Sequence, residues 1–151
     1  MFLQKIGFAA VLFFTVSICC SAQTTPKNVP AKSTTNSVKS SPAYAELLLR
    51  RTERESELEE FTLNYTDEFP KVQEIKFELG LINKEMVRVL EVNASDSAKL
   101  TLALGKLLVR KTEIQTDLWN LQKQYNAEHP EVKRAKRKVE IYEKAIKEIL
   151  P

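Results

Sequence analysis

The sequence predicts an all-α protein made of two tandem αα-hairpins, an antiparallel coiled-coil or four-helix arrangement, behind a signal peptide and a disordered linker. Three observations predict it. Glycine is almost absent, with only Gly80 and Gly105 beyond residue 22 of the 151-residue chain, so tight β-turns and Gly-rich phosphate loops have little to be built from. The apolar residues recur at three- and four-residue spacing instead of alternating. Residues 46–90 align with 106–150 without a gap, and thirteen of the 45 positions are identical, which marks a duplicated unit.

Taken in order, Met1 to Lys5 is a short cationic start, Ile6 to Cys20 is an apolar run, and Cys20-Ser21-Ala22 puts small residues where a signal peptidase reads. Residues 1–22 therefore read as a secretory signal peptide cleaved before Gln23. The run is shorter than the ~20 residues that span a bilayer. A lipid anchor on Cys19 or Cys20 is the alternative, but the residues before them lack the usual Leu-small-small pattern. Both cysteines leave with the signal, so no disulfide or thiolate chemistry is expected in the exported chain. Residues 23–42, rich in Thr, Ser, Lys and Pro with Val29 and Val38 as their only large apolar side chains, offer little to bury and read as a disordered linker.

The first helical repeat spans 43–92 and the second 96–151. Within the first, Tyr44, Leu47, Leu58, Phe61 and Tyr65, then Val72, Ile75, Leu79, Ile82, Met86 and Val89 form a coiled-coil seam. Pro70 and Pro130 exclude the helical conformation at Phe69 and His129 but suit the first turn of a new helix. Helices are thus expected near 43–68, 70–92, 96–128 and 130–150, with Ser95 or Asp96 capping the third. A sharp αα-turn at each proline and a kinked continuous helix are both compatible with the pattern. Arg51, Arg54 and Lys111 interrupt the seam; such breaks weaken packing and can fix register, and a side chain snorkelling at a splayed end is the simpler account. Tyr65 and Tyr125 are expected to pack on Val72 and Val132 where the chain reverses. Trp119 widens the apolar face.

Little in the chain speaks for catalysis. His129 is the sole histidine and has no Cys, second His or Glu-x-x-His spacing near it, so it reads as a turn residue and neither a metal nor a cofactor is expected. Lys133, Arg134, Lys136, Arg137 and Lys138 put five cations in six residues, an opening for phosphates, anionic headgroups, acidic polysaccharide or a partner's carboxylates. Tyr44 to Glu68 holds eight acidic and three basic residues and is the natural counterpart of that run, within the chain or between copies. No aromatic residues interleave with the basic run, and an exported protein is a poor candidate for a nucleic-acid binder.

The repeated turn motif consists of Tyr65, Glu68, Pro70 and Val72 in the first copy and Tyr125, Glu128, His129, Pro130 and Val132 in the second. With Leu118 and Leu121 ahead of it and a basic, heptad-patterned helix behind, the second copy resembles the periplasmic coiled-coil segment of the polysaccharide chain-length determinant family, the polysaccharide co-polymerases. The first copy keeps the pattern with Phe69 in place of the histidine. The transmembrane helices, membrane-proximal α/β region and nucleotide-binding domain of that family have no counterpart in the sequence. The resemblance implies a helical turn and a periplasmic compartment, and by analogy a setting in polysaccharide export.

The expectation is therefore a non-enzymatic, periplasmic or secreted coiled-coil protein, a structural or assembly factor of the bacterial envelope that forms homo-oligomers, most simply a salt-weakened dimer. The apolar flank of Phe77, Leu81 and Trp119 is the surface expected to be buried between copies. The alternative is a holdase-type chaperone for outer-membrane proteins.

Overall fold

The computed structural model describes residues 37–150; the expected signal peptide and the first part of the expected linker lie outside them. Four long helices follow one another: α1 (Pro42–Thr62), α2 (Pro70–Leu90), α3 (Leu102–Gln124) and α4 (Pro130–Ile149), with a 3-10 helix, Ala94–Lys99, between α2 and α3. The described residues contain no strand. The chain reverses at both prolines, so the sharp turn is found and the kinked continuous helix is not. Ion pairs fix the directions. Lys71 with Glu57 and Arg50 with Glu78 make α1 and α2 antiparallel, Lys111 with Glu143 does the same for α3 and α4, and Arg50 with Glu113 sets α1 beside α3 in parallel. Both hairpin tips consequently sit at one end of the molecule.

Local chemistry explains the starts. The Tyr44 N–H donates to Ser41 Oγ and the Leu104 N–H to Thr101 Oγ1, each at 3.3 Å, which satisfies backbone donors that a helix's first turn leaves unpaired. Pro42, Pro70 and Pro130 occupy first-turn positions, where their missing N–H costs nothing.

The apolar core lies at the end opposite the tips. Val38, Leu47, Ile82, Leu104, Leu108 and Ile146 meet there, each almost wholly buried. Full burial of such a side chain contributes about 1.5–3 kcal/mol. α1 and α3 approach each other closely at Gly105, where a Cβ would fall 2.8 Å from Glu46 Cβ and 2.9 Å from Ala43 Cα. The Ala43 N–H donates to the Leu100 carbonyl at 3.2 Å beside that crossing.

Several sequence expectations are corrected. The linker does not run to residue 42, because Val38 is 2% exposed inside the core and Ser41 caps α1; one valine among polar residues suffices when a hydrophobic socket is already formed. The first and third helices stop at Thr62 and Gln124 instead of 68 and 128, since reversing between packed helices needs several non-helical residues before the proline. Thr101, and neither Ser95 nor Asp96, caps α3. Lys111 does not snorkel. It is 4% exposed, and its ammonium lies 2.5 Å from Glu85 Oε1 and 2.8 Å from Glu143 Oε2. Arg54 too turns inward, to Glu57 and to Glu78.

Candidate functional surfaces: the twin tips and the basic arm

The two tips are the same structure built twice. The Phe69 N–H donates to the Thr66 carbonyl at 3.0 Å, and sixty residues later the His129 N–H donates to the Asn126 carbonyl at 3.1 Å. The pre-proline residues are both extended, Phe69 at φ −62°, ψ 129° and His129 at φ −59°, ψ 137°. The Gln73 and Lys133 N–H groups donate back to Phe69 and His129, each at 3.1 Å, and Val72 and Val132 are fully buried beneath. In each tip the tyrosine stacks on the pre-proline ring with centroids 4.1 Å apart, Tyr65 on Phe69 and Tyr125 on His129. A planar imidazole thus replaces a phenyl ring with no change in geometry.

The tyrosines do not pack on the valines as the sequence suggested. Tyr65 is 48% and Tyr125 42% exposed, each lying against the pre-proline ring that the proline holds in an extended conformation. His129 Nδ1 accepts from the Glu131 N–H at 3.3 Å, a capping contact that fits its reading as a turn residue. Glu68 and Glu128 are exposed, and Glu128 reaches Lys133 at 2.6 Å. Among the described residues, no group of three His, Cys, Asp or Glu is placed to hold a metal.

The basic run occupies the first half of α4. Lys133, Arg134, Arg137 and Lys138 are exposed and Lys136 is half-buried. Arg134 pairs with Glu131 at 2.7 Å. Among the described residues, Lys136, Arg137 and Lys138 have no carboxylate within ion-pair distance, whereas the six other arginines all do. The acidic helix α1 does not answer the run inside the chain. Glu53, Glu55 and Glu57 are met by its own arginines and by Lys71, Glu59 and Glu60 near its end have no ion-pair partner among the described residues, and α4 lies on the far side of α3. Four like-charge pairs at three- or four-residue spacing, such as Lys133 with Arg137, weaken the helix that carries them. They also sit near its positive end, where cations are disfavoured.

Between the tips and the core lies a layer of interhelical ion pairs. Glu78, 4% exposed, is held by Arg50 at 2.8 Å and Arg54 at 3.3 Å. Burial pushes the Glu143 carboxyl up, but the hydrogen bond from Lys111 and the charges of Lys111, Arg88 and Lys147 outweigh it and hold it below the ordinary value. Glu74 is lowered in the same way, burial being outweighed by Lys71 and Asn120. Phe77 and Trp119 stack with centroids 4.5 Å apart, so the flank expected to face a second copy is largely consumed between α2 and α3. A shallow groove of about 680 Å³ remains over α3, between Val87 of α2 and Val139 of α4.

Among the described residues no helix is long and apolar enough to cross a membrane. No protein-family model, curated protein or solved structure matches the chain.

Proposed function

We propose that this is an exported, non-enzymatic structural or assembly factor of the bacterial envelope, acting in the periplasm or outside the cell, in the setting of polysaccharide export. The observation that carries the reading is the pair of identical tips at one end of a rigid two-hairpin body, each offering an exposed aromatic stack on a fixed turn. Two equal, rigid, spaced contacts suit a scaffold that grips a protein assembly. The resemblance of the turn motif to polysaccharide co-polymerases supplies the setting.

The holdase reading draws on the open groove over α3 and on Val87, 53% exposed at its edge. Photo-crosslinking in cells from positions 65 and 125 separates the two. A scaffold gives one or two discrete adducts from the tips, and the purified protein leaves the aggregation of an unfolded β-barrel protein unchanged. A ladder of many outer-membrane adducts, with aggregation suppressed, would establish the holdase. The compartment is checked by intact mass: a chain beginning at Gln23 is expected, and one retaining residues 1–22 or carrying a lipid would overturn it.

A further inference from the structure

The internal repeat says which surfaces of this chain are waiting for one another. Within the chain, α3 lies along the outer groove of the first hairpin, between α1 and α2: Arg50 meets Glu113, Glu74 meets Asn120 and Phe77 stacks on Trp119, and a pocket of about 390 Å³ remains between the three helices. Sixty residues on, the equivalent groove between α3 and α4, about 250 Å³ and lined by Arg110, Arg134 and Lys138 among others, is open. The face of α3 that lies along the first groove likewise has an uncovered equivalent on α1. Leu108, Thr112 and Thr116 are buried, whereas Leu48, Thr52 and Ser56 at the matching positions are exposed, Leu48 by 40%.

We propose that copies of this chain associate head to tail, α1 of one copy seating in the open α3–α4 groove of the next as α3 seats on the first hairpin within the chain. Charge selects this occupant. Glu74 meets Asn120 at 2.6 Å inside the chain; the matching pair across a copy-to-copy junction is Arg134 with Glu60. Phe77 stacks on Trp119 inside the chain; the matching pair is Arg137 with Glu59. Among the described residues, the side chains of Glu59, Glu60 and Arg137 have no ion-pair partner in their own chain, and Arg134 has only the exposed Glu131 of its own helix, so the junction joins three charges that folding leaves unanswered and one that it answers only at the surface. It also relieves two helices charged against their own dipoles, since α1 has no cation in its last turn and α4 carries its cations near its start.

The junction is looser at the core end, because Ala45 stands where Gly105 does, and a Cβ there meets the opposing helix below 3 Å in the in-chain geometry. The contact near the tips, built from charge, therefore carries most of it and is screened by salt. Since the two faces are different surfaces, the contact is heterologous and extends from copy to copy, or closes as a ring, where a two-fold dimer stops at two. This inference does not rest on the envelope role.

Sedimentation of the purified protein tests it. At about 50 mM salt, species larger than a dimer whose mass grows with concentration are expected, with at least about tenfold weaker association at roughly 500 mM. Arg137→Glu alone and Glu59→Arg alone each give a folded monomer by circular dichroism, and mixing the two variants restores the large species because opposite charges again face each other at every junction. A wild-type monomer in low salt, or a closed dimer untouched by either substitution, overturns the proposal. So does a pair of variants that keep their mass while Arg137→Glu loses binding to phosphatidylglycerol vesicles or to alginate, which would assign the basic arm to an anionic ligand instead.

Discussion

Lys111 sits at a seam position, and on the sequence alone a lysine there is a defect to be pushed to the surface. In the fold it is the tie between three helices, with Glu85 of α2 and Glu143 of α4 on its ammonium. The second oxygen of Glu85 has no hydrogen bond, and the Arg88 guanidinium is 3.7 Å away. Lys111→Ala therefore leaves a buried carboxylate short of its main partner, and a loss of about 3–5 kcal/mol is expected in urea denaturation. The lowered Glu143 and Glu74 carboxyls set the pH response. A carboxyl whose folded value lies below its unfolded one contributes stability that is complete above the unfolded value, near 4.5, and is lost as pH falls through the folded value. The thermal midpoint should be level from about pH 7 to 5 and fall below about 4.5, and Glu143→Gln should lower it at pH 7 and flatten the acid limb. A ring that is half exposed behaves differently. Tyr125→Ala should cost about 1 kcal/mol, the worth of an aromatic stack, where a buried ring would cost about 3–5. Chemical denaturation distinguishes the two.

At the scale of helices, the two glycines separate propensity from packing. Gly80 lies inside α2, where a Cβ would meet nothing within 4 Å, whereas Gly105 marks the α1–α3 crossing. Gly80→Ala should stabilise by about 0.5–1 kcal/mol, and Gly105→Ala should destabilise by about 1–3 kcal/mol by forcing the helices apart. Thermal unfolding of both variants checks the opposed signs. The hairpins themselves were legible in the sequence because proline acts on its own neighbours and the apolar spacing is a local pattern; both signals survive without knowledge of the fold. The ends of α1 and α3 were not, since where a helix stops before a reversal depends on the gap the turn must cross. Val38 and Lys111 were missed for a related reason: their burial is decided by side chains far away in sequence. The stacking of Tyr65 on Phe69 had a signal, the aromatic or imidazole ring four residues after each tyrosine, that could have found it.

Across the whole molecule, the larger apolar cluster lies at the end opposite the tips, a smaller group that includes Val72, Ile75 and Val132 is buried beneath the turns, and ion pairs lie between them. Cooperative stability follows buried apolar contact, so it is unevenly spread along the helix axes. Hydrogen exchange should report a gradient along every helix. Amides of Leu104 to Leu108 and of Ile82 to Met86 should exchange only through global unfolding, while those of the last turn of α1 and the first turns of α4 should open tens- to thousands-fold more often. The Phe77–Trp119 stack and the Glu74–Asn120 hydrogen bond lace the two hairpins together just behind the tips, so the last turns can fray without the prongs parting. The molecule behaves as a two-pin plug whose pin spacing is held by its own body.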